Sequence, residues 1–303
     1  MSLPVTKKPY VVAILASAAV ARAAVAADDD GDDLLPVPTL AMTVTASSTL
    51  AASKAHSYEP WRPLVGWSRT SGFWCEGKRD EGIGEALVVT LAAPTTIASL
   101  SLHAGVWKSM ELFQANNIIT GVDVVTDDGR VVHVVLPEEL REVDVALGGG
   151  PVKQLTIKLT KVKKGRMNDS CISGVQLHAT PETSLVVGDA ASLAALRPSF
   201  AKIRQAIADC DAAALRTLAM FPMSYSDTAG AKEDTMRVIK YKDASALIKA
   251  CKSTRFTAFG NSTHFAVKSE SPTRLRLEDE TLEWQLALDA GRWKLAGLID
   301  GTP

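Results

Sequence analysis

Trp61, Arg62, Trp67 and Arg69 fall close together in the stretch His56-Ser-Tyr-Glu-Pro-Trp-Arg-Pro-Leu-Val-Gly-Trp-Ser-Arg-Thr70. Indole faces stack on sugar rings, and a guanidinium fork hydrogen-bonds hydroxyls or carboxylates. These four residues are therefore the candidate ligand-binding set. The alternative is that the two tryptophans plug the end of a core while both arginines cover them. The chemistry available is binding rather than catalysis. No His-x-His, His-Glu-x-x-His or Cys-x-x-Cys pair is present to seed a zinc site. Neither a Gly-x-Ser-x-Gly elbow nor a phosphate-cradling Gly-x-x-x-x-Gly-Lys loop occurs. No catalytic residue, metal or cofactor is expected. Asp28-Asp-Asp-Gly-Asp-Asp33 lacks the alternate ligands and distant glutamate of a calcium loop and reads as a solvated leader. Glu138-Glu139 and Glu278-Asp-Glu280 are acids at turns, and His103 and His133 fall on the polar phase of strands, facing solvent.

The element that must hold the candidate loop follows it directly. Gly72-Phe-Trp-Cys-Glu-Gly-Lys-Arg-Asp-Glu-Gly-Ile-Gly-Glu85 packs an aromatic pair, an acid and four glycines ahead of an alternating strand. Such a loop is tight and crowded with backbone, because glycine tolerates positive φ and close chain approach. Short apolar alternations run from Leu40 to Thr45, Ala86 to Leu91, Ile97 to His103, Ile119 to Thr126, Val131 to Leu136, Val152 to Leu159 and Ile172 to Leu177. Turn signals separate them, including Asp128-Gly129 between two valine-rich runs, so the spacing predicts an antiparallel sandwich. From about Thr183 the period changes. Leu196, Phe200, Ile203 and Ile207 mark a helix over Leu193–Asp209, a second runs from Asp211 to Met220 with Asp209 or Asp211 as N-cap, and a third covers Asp243–Cys251. Phe221-Pro222 breaks the helix, and a meander follows over Phe256–Val267, Thr273–Leu277, Leu282–Leu288 and Trp293–Ile299. Helices first and an antiparallel sheet after make an α+β unit.

The 303 residues suggest two domains, and a net charge of −1 offers no basic face for nucleic acid. Lys7-Lys8, an apolar run to Ala21 and small residues up to Ala27 form a signal peptide, cut after Ala26 or Ala27. The apolar run is short for a membrane span, so the product should be secreted or periplasmic, with a retained anchor as the alternative. The expected organisation is a signal over 1–27, an acidic, proline-containing linker over 28–38, the sandwich over 39–180 and the α+β unit over 183–303. Four cysteines allow three pairings. One pair in each half is the economical arrangement, Cys75 with Cys171 and Cys210 with Cys251. The second is the better of the two, because Cys75 sits in an apolar stretch where a small buried thiol also fits.

Ala46-Ser-Ser48, Trp74-Cys-Glu-Gly77, Gly82-Ile-Gly-Glu85, Gly105-Val-Trp-Lys-Ser109, Asn116-Asn117 and Asp169-Ser-Cys-Ile-Ser173 occur in this order across the first half. In them the chain resembles the discoidin (coagulation-factor type C) family, closest to the bacterial branch described as a translocation domain of NAD-glycohydrolase toxins. The resemblance implies an all-β jelly-roll, galactose-binding-like sandwich that binds ligands with loops at one end. It implies structural roles for Trp74, Glu76, Gly77, Gly82 and Gly84, with Trp74 in the core and Glu76 accepting hydrogen bonds from loop amides. Trp107-Lys108 would extend the loop surface or cover a strand end. Two positions depart from the pattern. Val65-Gly66 replaces a common Asp-Gly, which argues against the calcium some relatives hold, and Ile118 follows Asn117 where arginine is common.

The second half resembles, through its Asp209–Ala219 helix, Phe221-Pro222 and its last strand, the cystatin-like or nuclear-transport-factor-like cone. Such a cone could hold a pocket lined by Tyr225, Tyr241, His264 and Trp284. The function these features imply is an exported, non-catalytic protein. Its sandwich would recognise a glycan or an envelope or protein partner, as an accessory or translocation module for a toxin, and its C-terminal unit could mediate oligomerisation. The rival is a small hydrolase or isomerase with its site at His264 in the cone.

Overall fold

In the computed structural model of the chain, residues 38–54, 56–65, 72–227, 237–251, 266–278 and 282–300 are described. The sandwich contains ten strands: β1 (Thr39–Ala46), β2 (Trp74–Cys75), β3 (Ala86–Thr95), β4 (Ile97–Ala104), β5 (Ile118–Thr126), β6 (Val131–Val135), β7 (Val143–Ala146), β8 (Val152–Lys163), β9 (Cys171–Ala179) and β10 (Ser184–Val187), of which all but β2, β7 and β10 follow the predicted alternations, with one short helix, α1 (Met110–Ala115). They build two sheets, ordered β10-β1-β3-β8-β5-β6 and β2-β9-β4-β7. Their facing sides supply the core: Leu87, Val89 and Leu91 from β3, Leu100 and Leu102 from β4, Val122 and Val124 from β5, Leu155, Ile157 and Leu159 from β8, and Ile172 from β9. Each such side chain contributes roughly 1.5–3 kcal/mol on leaving water. The alternation therefore fixes which face of each strand turns inward, since a one-residue slip would expose the whole set.

The second half opens with α2 (Ala190–Ala194), α3 (Leu196–Ala208) and α4 (Ala212–Leu218). It continues with β11 (Ala219–Asp227), β12 (Arg237–Tyr241), α5 (Ala244–Cys251), β13 (Ala266–Ser271), β14 (Arg274–Glu278), β15 (Leu282–Asp289) and β16 (Arg292–Asp300). The long helix expected from Leu193 is divided at Ala195 into α2 and α3. Of the two aspartates considered, Asp211 is the N-cap of α4, accepting from the amides of Ala213 and Ala214. Cys210 before it takes a positive φ of 50°. The strands form one sheet in the order β12-β11-β16-β15-β14-β13. All its pairings are antiparallel except β11 with β16. Phe200, Ile203 and Ile207 of α3 pack on it, Phe200 meeting Trp284 edge-on with ring centres 5.3 Å apart.

The halves share backbone at one edge. β10, which follows the residue-180 boundary read from the sequence, lies parallel to β1, pairing Thr39 with Ser184 through Met42 with Val187. The amide of Val187 donates to the hydroxyl of Ser269 on β13 at 2.8 Å. None of the described helices is long and apolar enough to cross a membrane.

Trp284 is fully buried in the second core. Trp284→Ala should lower unfolding stability by about 3–5 kcal/mol, read from urea denaturation followed by circular dichroism.

Candidate binding site at the loop end of the sandwich

The described parts of the segment 47–73 and the loops 76–85, 105–117 and 164–170 lie at the same end of the two sheets, because β1, β4 and β8 end there while β3, β5 and β9 begin there. Strand ends leave backbone donors and acceptors that no ladder can pair, and buried ones must find other partners. Here side chains supply them. Glu76 is fully buried, its carboxylate accepting from the amides of Lys78 at 2.6 Å and Ser170 at 3.3 Å. Asn117 donates to Ser170 Oγ at 3.2 Å and accepts from the amide of Gly165 at 2.9 Å. Ser170 Oγ donates to the carbonyl of Glu81 at 2.7 Å, and Asn168 donates to the carbonyls of Arg79 and Asp80 at 2.7 and 2.6 Å. Ser47 and Ser48 donate to Glu85 at 2.6 and 2.5 Å, and Ser48 also accepts from the amide of Gly77. Trp74, fully buried, donates its indole N–H to the carbonyl of Ser48 at 3.0 Å. A Cβ on Gly77 would stand 2.5 Å from the carbonyl oxygen of Thr49. Gly82 and Gly84 take φ of 70° and 95°, the left-handed region where glycine is at ease.

A disulfide joins Cys75 to Cys171, residues directly opposite in the β2–β9 pair. It forms the floor of a cavity of about 150 Å³. The walls are Leu50, Tyr58, Phe73, Val106 and Leu112, with His56, Lys108, Asn116, Met167 and Asp169 among the remaining lining residues. Tyr58 and Phe73 meet with ring centres 5.6 Å apart and planes tilted by 53°. Burial raises the Asp169 carboxyl above the ordinary aspartate range, and no hydrogen bond or ion pair reaches its side chain among the described residues. Burial first, then the charge of Asp169, raises the Tyr58 phenol. Burial also raises the Glu76 carboxyl, partly offset by its two amide donors. The cavity thus presents an aromatic wall, an apolar floor and an uncompensated acceptor.

Of the residues chosen from sequence, Trp61 is half-buried against the sandwich core. Arg62 lies 5.0 Å from its ring and spends its fork on Glu59, at 2.5 Å, and on the hydroxyl of Ser57. Trp67 and Arg69 lie outside the described residues. The same loop places Tyr58, rather than Trp61 or Arg62, in the cavity. Tyr58 is legible as an aromatic in that loop and Phe73 closes the same 47–73 segment, but Lys108 and Asp169 come from two other segments. His133 is exposed beside Asp123, but His103 is buried rather than solvent-facing. Its ring stacks on Trp107 at 3.7 Å, and its Nε2 lies 3.1 Å from Glu142, so a solvent-phase position is roofed by neighbouring side chains. Trp107 is itself nearly buried, donating to the carbonyl of Ala104 at 2.9 Å.

In the second half Tyr225, Tyr241 and Trp284 are buried members of the core, the two tyrosine rings 6.3 Å apart. His264 lies outside the described residues. Cys210 is disulfide-bonded; the side chain of Cys251 lies outside the described residues. No group of three or more His, Cys, Asp or Glu side chains able to hold a metal ion occurs among the described residues.

Residues 37–178 match the sequence model of the family described as the NAD glycohydrolase translocation F5/8 type C domain. This part of the chain is a discoidin domain. No protein of curated function matches the chain. Solved structures with a similar portion include arabinofuranosyltransferase AftD from Mycobacteria, in its R1389S mutant, at 19% identity over 46% of this chain and 11% of that one, TM-score 0.37. The family 32 carbohydrate-binding module of C. perfringens NanJ in complex with galactose aligns at 16% identity over 45% of this chain and 92% of that one, TM-score 0.33. A GH31 CBM32-2 module bound to GalNAc aligns at 13% identity over 46% and 97%, TM-score 0.34. This chain thus spans about a tenth of the transferase.

The site end makes two predictions. Breaking the covalent floor with Cys75→Ser/Cys171→Ser reopens a link between residues 96 apart in sequence. It should lower stability by about 2–5 kcal/mol, measured as the shift in urea midpoint. Asp169 behaves oppositely to a salt-bridged acid. A carboxyl whose folded pKa lies above its unfolded value destabilises the fold once pH exceeds both values, and contributes nothing once pH is below both. Asp169→Asn should therefore raise the urea midpoint at neutral pH, and the gain should fade as pH falls toward the ordinary aspartate range and be absent below it.

Proposed function

We propose that this is an exported, non-catalytic binding protein whose discoidin domain captures a glycan in the Cys75–Cys171 cavity. The single observation that carries the reading is the pairing of an aromatic wall, Tyr58 with Phe73, with the unpaired carboxylate of Asp169. A pyranose ring offers the complementary surface: an axial C–H face that packs on an aromatic ring and hydroxyls that donate to a carboxylate. The cavity holds one ring-sized group, so affinity per site is modest and loop ordering offsets part of the contact energy. Exposed Ile83, Met110 and Met167 stand on the same loops, three of the five large apolar side chains most exposed among the described residues. They give the rim a second, apolar contact for the glycan-bearing envelope or protein partner. The family's name supports a role as an accessory or translocation module beside a toxin. The division into a signal, an acidic linker, a sandwich and a cystatin-like α+β unit belongs to the same reading. The rival reading, a hydrolase or isomerase in the C-terminal unit, rests on His264, which lies outside the described residues.

The test is a glycan array followed by calorimetric titration of the best hit, using the protein as exported by its host. Tyr58→Ala and Asp169→Asn should each weaken binding about tenfold or more with unchanged circular dichroism. Trp61→Ala/Trp67→Ala should leave binding within a few-fold, since Trp61 packs into the core. Binding lost in the tryptophan variant but kept in Tyr58→Ala would move the site to the 61–69 segment. An array with no hit would overturn the glycan reading.

A further inference from the structure

The six-stranded sheet of the sandwich has two edges, treated differently. One is covered: β10 pairs with β1, and β10 in turn bonds to β13. The other is β6, Val131-Val-His-Val-Val135, which pairs with β5 on one side and with no described strand on the other. An unpaired edge is a template for another strand, and natural edges are blunted by lysine, proline or a bulge. β6 contains none of these. Its pairing with β5 is unbroken in register from Val131 to Val135.

The direction of its free groups follows from two hydrogen bonds. The amide of Leu136 donates to the carbonyl of Thr120, and the amide of Thr126 to the carbonyl of Arg130. In an antiparallel ladder hydrogen-bonded pairs recur at every second residue. The even-numbered residues therefore bond inward to β5, and Val131, His133 and Val135 present their N–H and C=O groups to the bare edge. The same three side chains face out of the sheet. Val135 is 88% exposed, Val131 46%, and the His133 side chain 78%. Val132 and Val134 pack against the core.

The sequence of the strand is a palindrome, and an antiparallel two-fold pairing reverses one strand against the other. We propose that β6 is a homodimer interface, pairing antiparallel with β6 of a second copy about a dyad through His133. In that register Val131 faces Val135 of the second copy, Val132 faces Val134, and His133 faces His133. All three outward-bonding residues meet their counterparts, forming about six main-chain hydrogen bonds. The two exposed valines of each strand become cross-strand pairs. The registers one residue to either side bring a valine of one strand against the histidine of the other and point one strand's free groups away from its partner's, so the palindrome and the ladder parity select the same alignment. Each His133 keeps its own Asp123, 2.6 Å from its Nδ1, beside the dyad. The acids flanking the strand are occupied within their own chain, Asp128 by Arg130 and Glu138 by Lys163. Pro137, two residues beyond β6, confines the pairing to this strand. The partner is thus a second copy of this chain, joined through the sandwich rather than through its C-terminal half.

Sedimentation velocity of the full chain over a range of concentrations should show a species of twice the 32.2 kDa chain mass. His133→Lys places two ammonium groups face to face at the dyad while remaining an exposed edge residue in the monomer. It should raise the dimer dissociation constant about tenfold or more with an unchanged melting curve. A His133→Cys chain tests the register, because position 133 faces itself at a Cα separation of about 5.5 Å, within disulfide reach. It should cross-link to a covalent dimer under mild oxidation. Val135→Cys alone should not, since its counterpart lies four residues, or about 13 Å, along the partner strand. A chain that stays monomeric at every concentration overturns the proposal, as does a dimer that persists in His133→Lys or a His133→Cys chain that fails to cross-link.

Discussion

Two sheets laid face to face leave, at each end of the sandwich, a ring of backbone groups that no neighbouring strand can reach. At the loop end of this protein that shortage is met by buried side chains whose only partners are main-chain amides, main-chain carbonyls and one another. Glu76 is the costliest of them. A carboxylate with no measurable exposure is tolerated because the amides of Lys78 and Ser170 point at it. Losing either donor would leave a buried charge with a single amide to replace its solvation. Glu76 and Ser170 tie the 76–85 loop to the 164–170 loop, Asn117 ties the latter to the end of α1, and the Cys75–Cys171 bond fixes β2 to β9 beneath all three. The cavity exists because these loops are held apart at fixed heights rather than collapsing onto the core.

The same arrangement explains why short sequence boxes spread along the first half occur together. Ser47-Ser48, Trp74, Glu76-Gly77, Gly82, Gly84-Glu85, Asn117 and Ser170 are distant in sequence and adjacent in space, each satisfying a group supplied by another. Their chemistry is spent on the scaffold. Of the groups left for a ligand, Tyr58 and Phe73 lie beside the boxes, whereas Lys108 and Asp169 are members of two of them. A site read from the boxes alone would include its polar groups and miss its aromatic wall.

The sandwich was legible because its strands repeat a strong period: Leu87, Val89 and Leu91, or Val122 and Val124, announce which face turns inward. β2, at two residues, and β7 and β10, at four, are too short to establish a period, and pairing partners far away in the chain decide them. His103 was misplaced for a related reason. Alternation assigns it correctly to the outer face of β4, but burial there depends on Trp107 folding over the strand from the next loop. Trp61 and Arg62 drew attention as large groups able to bind a sugar, yet Glu59, three residues before Arg62, already signalled an internal ion pair that consumes the fork.

The two halves of the chain divide the problem of exposed sheet edges unequally. β10 falls within the 183–303 part read from the sequence as the second unit, yet by hydrogen bonding it belongs to the sandwich, so building the second half also seals one edge of the first. That seal constrains where β13 and α2 can lie, because the amide of Val187 is held by Ser269 and Gly188 N donates to the carbonyl of Met42 at 2.9 Å. Among the described residues nothing comparable acts at β6, four β-favouring valines and a histidine at the far edge of the same sheet. A strand so rich in valine, with its outward groups in one phase and its sequence symmetric about His133, stays soluble either through the single imidazole at its centre or through a partner that uses it. The imidazole is a weak guard, since it is already tied to Asp123 and leaves the backbone edge open. The physical balance at that edge therefore favours pairing over exposure, and it places the loop-end cavity of each copy beyond one end of a continuous twelve-stranded sheet, free of the contact that would join the two.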